Sequence, residues 1–260
     1  MKTYIIIICL IVISANTHAQ NTSNIREFDL ETIIKLGNEI YRLDKYAASA
    51  TDILFEQRLD LSKYPVRGWV VTEESGETLV TFIGEYSDGL RGVFEVRPDL
   101  NTVDRFKIVE GRELSPLEKS KFNARQTASN GITDYCSDRY NTVVIEDPTG
   151  DAWLVYLIAA SIEPDLILAG GHYRITVSKD GNKIINSDKL SRSCLTLNKK
   201  DSDIPEGATP VMMFMTHIVS PTPVETHVFL SLLHNMDFAI GTEGNKIWKV
   251  SGSGIEVIEQ

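Results

Sequence analysis

The sequence predicts a strand-rich α+β fold of antiparallel sheets, in which a helix followed by a meander is met twice and a β meander closes the chain. Three observations predict it. Apolar residues recur at three- and four-residue spacing near the start, the period changes to two after Pro65, and turn residues then punctuate short Val-, Thr- and aromatic-rich runs as far as the C-terminus.

The chain opens with Lys2, an apolar run from Tyr4 to Ile13 and the small-residue ending Thr17-His18-Ala19. This is the layout of a cleavable secretion signal, so residues 1–19 are expected to be removed and residues 20–260 to form a single compact globular region. The apolar run is shorter than the roughly 20 residues that cross a bilayer, and no stable membrane insertion is expected after cleavage. The formal charge is −10, and loss of Lys2 makes the mature chain more acidic still. Such a chain repels phosphate backbones, which argues against nucleic acid as a partner.

Leu30, Ile33, Ile34, Leu36, Ile40 and Tyr41 predict an amphipathic helix from Phe28 to about Lys45, with a second short helix over Ala47 to Phe55. Gly68 to Thr72, Thr78 to Tyr86 and Gly92 to Arg97 then read as a three-stranded meander. Ser115-Pro116-Leu117-Glu118 combines a capping Ser, a first-turn Pro and an acid three residues on, and starts a helix that runs to about Ser129. Thr142 to Glu146, Trp153 to Ala160 and Tyr173 to Ser178 follow as strands, the last turning through Asp180-Gly181 into Lys183 to Ile185. Residues 25–100 and 113–186 are therefore candidates for a structural repeat, followed by a β region at 193–260. In that region Val211 to Val219, Thr226 to Leu233, Phe238 to Gly241, Lys246 to Val250 and Ile255 to Ile258 read as strands. Thr226, Val228 and Phe229 tilt the second of these toward strand rather than helix. The element order resembles that of cystatin-like and PepSY-type secreted modules, a resemblance that implies a binding or inhibitory role.

Cys136 and Cys194 are the cysteines left after cleavage. In an exported chain they predict one disulfide, worth about 4 kcal/mol on the chain-entropy view. Both readings of chemistry rest on histidines and their neighbours. His217, Glu225 and His227 flank the rigid Pro221-Thr222-Pro223 loop, and with His172 they could form a zinc site. On extended strands Glu225 and His227 would share a face. Gly170-Gly171 precede His172 and Arg174, which would also share a face, with Arg174 available to a carboxylate; the paired glycines predict a turn or the close approach of another backbone. Asp201 and Asp203 are expected in a solvated turn. Serine-hydrolase elbows and phosphate loops are missing from the sequence.

The leading expectation is a periplasmic or secreted, non-enzymatic module that binds a protein or small polar ligand, with no cofactor. Two alternatives stand beside it: a zinc-dependent hydrolase using the His/Glu cluster, and a structural or assembly protein of the envelope.

Overall fold

A computed structural model describes residues 25–200 and 210–259. The expected signal segment and the turn at Asp201 and Asp203 lie outside the described residues. Among the described residues the fold is α+β, strand-rich and mainly antiparallel, as the residue pattern predicts.

Helix α1 (Leu30–Glu56) starts at Asp29, whose Oδ1 accepts the Thr32 N–H at 2.7 Å. The two predicted helices are one. No Gly or Pro separates them, and Leu43, Ala47, Ala50, Ile53 and Leu54 carry one buried stripe from the first half into the second. This continuity makes α1 a spine shared by two hydrophobic clusters. Ile33, Leu36, Ile40 and Leu43 pack with strands and a helix from later in the chain, while Ala50, Ile53 and Leu54 pack on Val80, Phe82, Phe94 and Val96.

The second cluster belongs to the first sheet, β1 (Val66–Glu74), β2 (Glu77–Tyr86), β3 (Gly89–Val96) and β4 (Phe106–Glu113), in sequential antiparallel order. The fourth strand was not expected. Phe-Lys-Ile-Val-Glu-Gly-Arg-Glu carries no clean alternation because β4 is an edge strand, largely exposed and charged.

Helix α2 (Pro116–Asn130) begins with the predicted capping box. Ser115 Oγ accepts the Glu118 N–H at 3.2 Å, and Glu118 Oε2 accepts the Ser115 N–H at 2.7 Å. The second sheet runs in the order β5 (Tyr140–Glu146), β6 (Ala152–Ala159), β8 (Tyr173–Ser178) and β9 (Ile184–Lys189), all antiparallel. Between β6 and β8 the chain makes a short strand β7 (Leu166–Leu168), which pairs with β10 (Thr196–Asn198).

Every residue of β6 is buried because the second sheet is covered on both faces. Leu154, Tyr156 and Ile158 face the cluster shared with α1, whereas Trp153, Val155 and Leu157 face Ala124 and Ala128 of α2. An unbroken apolar run replaces alternation wherever both faces are dry.

The C-terminal sheet has the order β11 (Met212–Thr216), β12 (Asp237–Thr242), β13 (Lys246–Ser251) and β14 (Gly254–Glu259). The last three strands are the expected meander. Thr226 to Leu233 is helix, not strand: α3 (Glu225–His234) joins β11 to β12, and these two strands are parallel. A parallel pair needs a crossover of this length, which a hairpin cannot supply. The strand expectation failed because Glu225 to Ser231 are all buried, so that tertiary packing hid the helical period and outweighed the β-branched composition. Helix α3 lies against α1 at Gly37, where a Cβ would come within 2.5 Å of the Val228 Cβ and 2.7 Å of the Glu225 carbonyl.

Candidate functional site

Tyr156, Arg174 and Asp188 are register partners on β6, β8 and β9, so they form one row across the second sheet. The row faces the shared core. Arg174 is 1% exposed and is held on three sides. Its Nε and Nη2 donate to Asp188 Oδ2 at 3.0 and 2.7 Å, its Nη1 donates to Glu225 Oε1 at 2.6 Å, and its Nη2 also donates to the Arg26 carbonyl. Tyr156 Oη donates to the same Glu225 oxygen at 2.9 Å. Burial opposes the Arg174 charge, but Glu225 and Asp188 outweigh it and hold the guanidinium above its ordinary pKa. Burial drives the Tyr156 phenol well above its usual range, so it remains a donor.

Glu225 reaches this row because it is the first residue of α3, where the N-terminal end of a helix favours a carboxylate. It is fully buried, and its Oε2 has no hydrogen-bond partner. Glu225 and His227 do not share a face. Two residues on a helix are separated by roughly 200°, so His227 turns away from Arg174.

His227 instead caps its own helix. Its Nδ1 accepts the Val224 N–H at 3.1 Å, the task that Glu performs at the same position in a capping box. That bond places the ring proton on Nε2. The His217 ring meets the His227 ring edge to face, with centroids 4.8 Å apart. His217 follows β11, and its backbone N–H continues the parallel ladder by donating to the Gly241 carbonyl at 2.8 Å. Ser220 Oγ donates to the Thr222 carbonyl, so His217 Nε2 is the donor in its 2.7 Å bond with that hydroxyl. His172 lies on a separate segment, with its Nδ1 accepting the Ala159 N–H at 3.2 Å.

All three rings are neutral. Burial lowers His172 to about 4, with partial relief from the Leu168 backbone, and lowers His217 to about 4. His227 falls well below its ordinary value through burial, then through proximity to His217 and His172. The structure thus brings His217 to His227 and Arg174 to Glu225, but it does not bring Glu225 to the histidines. Among the described residues no group of three or more His, Cys, Asp or Glu is placed to hold a metal ion.

Cys136 and Cys194 form the predicted disulfide, which is compatible with an oxidising compartment. The paired glycines are explained by this bridge rather than by a ligand. A Cβ on Gly170 would lie 2.3 Å from the Ser193 carbonyl, and one on Gly171, where φ is +84°, would lie 2.3 Å from the Cys136 Cβ. Both residues let the bridged segment cross the start of β8.

Open space lies elsewhere. Two adjoining cavities, of about 990 and 730 Å³, run along α1 between the first and second sheets and share Lys35, Glu39, Arg42, Ile145, Glu146 and Pro148 in their walls. The larger adds Tyr41, Lys45, Tyr46 and Ser49, and the smaller adds Lys121 and Trp153. Arg42 is fixed there by Glu39 at 2.8 Å and Glu73 at 3.0 Å. Lys121 Nζ donates to the Val71 carbonyl at 2.9 Å, and burial lowers its pKa.

Sequence reasoning missed this cleft, and it missed Tyr156, Asp188, Arg26 and Asp147 around Arg174. Only the alternation of β8 and β9 pointed at the row, and register is not written in either strand alone. No family model, curated protein or solved structure matches the chain. No helix among the described residues is long and apolar enough to cross a membrane.

Proposed function

We propose that the protein is an exported, non-enzymatic binding module that takes a small polar ligand or a short peptide in the cleft along α1. One observation carries the reading: the histidines and the Arg174–Glu225 pair that the residue pattern singles out for chemistry are sealed in the interior, while the large open cavities are lined by aromatic rings and by charged side chains of both signs. His172, Arg174, His217, Glu225 and His227 are all buried. The cleft combines the amphipathic rings of Tyr41 and Tyr46 with cations and carboxylates of both signs, over a floor of rigid helix. Cavities of this size fit a ligand of several hundred daltons. Export rests on the N-terminal layout of Lys2, the apolar run and Ala19, and the Cys136–Cys194 bridge agrees with a periplasmic or extracellular site of action.

The test is a solution NMR screen of amino acids, dipeptides and monosaccharides against the mature chain, repeated with a Tyr46→Ala/Lys45→Glu variant. Saturable shifts confined to residues of α1 and to 145–149, and weakened at least tenfold in the variant, support the reading. Shifts elsewhere, unaffected by the variant, overturn it.

A further inference from the structure

The first and second sheets each end on an edge strand, β1 and β5, and both edges front the smaller cavity of the cleft. Its walls take Val71, Thr72 and Glu73 from β1 and Val144, Ile145 and Glu146 from β5. Hydrogen-bond parity shows which main-chain groups leave each sheet, because paired residues alternate along an antiparallel ladder. The Trp69 and Val71 carbonyls accept from Arg125 Nη1 and Lys121 Nζ at 2.9 Å each, so the odd-numbered residues here turn away from β2. On β5 the odd-numbered residues face β6: the Asp147 N–H donates to the Ala152 carbonyl, and the Ala160 N–H to the Arg139 carbonyl, both at 3.0 Å. Val71 and Glu73 on one side, and Val144 and Glu146 on the other, therefore turn main-chain groups outward from their sheets.

Charge marks a seat beside these edges. Each carboxylate in the cavity wall already has a cation: Glu39 and Glu73 hold Arg42, Glu146 holds Lys179, and Asp147 holds Arg26. Lys35 and Lys121 line the same wall, and among the described residues neither meets a carboxylate within 4.0 Å. The cavity thus has cationic capacity to spare in a chain of net charge −10. Lys35 is exposed, but Lys121 is half-buried, with the Trp153 ring centroid 5.5 Å from its Nζ. Its ammonium has three N–H donors, and the Val71 carbonyl takes one. An anion that reaches the other two replaces the water lost by burial.

Given the cleft as the ligand site, we propose that its smaller cavity binds a free, extended peptide of about three residues, whose main chain pairs with the β1 and β5 edges and whose C-terminal carboxylate is held by Lys121. Strand addition draws its affinity from main-chain bonds, and capture of a terminal carboxylate sets the peptide's direction. The edges set its length. Three residues of each strand front the cavity, after which β1 ends at Glu74 and β5 at Glu146, shortly before Pro148, which has no N–H to offer. A ladder this short suits a free peptide rather than the tail of a protein.

The probes are the tripeptide Ala-Val-Ala, its C-terminal amide and a form N-methylated at its second and third residues, titrated by NMR into the mature chain and its Lys121→Met variant. The acid is expected to shift the amides of residues 71–73 and 144–146 saturably. Amidation and N-methylation each weaken binding at least tenfold, and Lys121→Met removes the advantage of the acid over the amide. If that variant does not fold, the peptide series on the unaltered chain decides alone. Equal binding of acid and amide, or of the N-methylated form, overturns the proposal and leaves the cleft reading standing. Monosaccharides that shift the cleft where peptides do not have the same consequence. No shift in the cleft with any probe overturns both. A peptide lengthened to Gly-Ser-Gly-Ser-Ala-Val-Ala that binds more than tenfold tighter makes the ligand a protein's tail, and overturns the assignment to a free peptide.

Discussion

Arg174 Nη1 donates to Glu225 Oε1 at 2.6 Å, joining the second sheet to the first residue of α3 across 51 positions of sequence, with both side chains sealed from solvent. The pair fixes where α3 enters the core. Replacing only one partner leaves an uncompensated buried charge, which costs about 3–5 kcal/mol. Arg174→Ala is therefore expected to lower stability by that amount, read from the urea midpoint. Arg174→Met with Glu225→Leu and Asp188→Asn recovers part of the loss, because neither buried carboxylate that faces Arg174 is then left as an unpaired charge.

The neutral histidines make the fold sensitive to acid. For His172 and His217 the folded values of about 4 lie below the ordinary 6.5, and His227 lies lower still. Between these limits the unfolded chain binds more protons than the folded one, so stability is present above pH 6.5 and is lost as pH falls toward 4. Each such histidine contributes a slope of at most about 1.4 kcal/mol per pH unit. Unfolding midpoints measured at pH 7.5, 6 and 5 are expected to decline steadily, and His217→Gln flattens the decline. An unchanged slope in that variant contradicts the assignment of His217.

Asp44 works in the opposite sense. Burial, partly offset by the Asn141 amide at 2.9 Å, raises its carboxyl from 3.8 to about 6. Its folded pKa is raised, so its contribution is present below pH 3.8 and lost as pH rises through 6. Asp44→Asn is expected to raise the melting temperature at pH 7.5 and to leave it unchanged near pH 4, as scanning calorimetry can establish.

Gly171 has a prescribed role at the disulfide crossing. Gly171→Ala places a Cβ at positive φ and against Cys136, and is expected to destabilise by about 1–3 kcal/mol. Alanine at Gly76, also at positive φ but with no atom within 4 Å of an added Cβ, incurs only the backbone part. Equal losses at the two sites would remove the crowding argument.

The sequence by itself determined elements whose causes are local. The α2 start could be read from Ser115, Pro116 and Glu118 because a capping box is completed within four residues. The hairpin after β8 announced itself through Asp180-Gly181, and the bridge through the parity of the two cysteines that follow the expected signal segment. Tertiary structure decided whatever depends on covering both sides of an element. Thr226 to Leu233 became a helix because α1 and the C-terminal sheet bury nearly all of its faces, which erases the period that would have identified it. His172, His217, Glu225 and His227 were visible as residue types, yet register and crossover geometry put Glu225 in an ion-pair row, paired His217 with His227 and left His172 on a separate segment. Arg26, 148 residues from Arg174, could not be joined to it from sequence at all. Such a contact depends on the free energy of the whole assembled core, and no short stretch of residues encodes it.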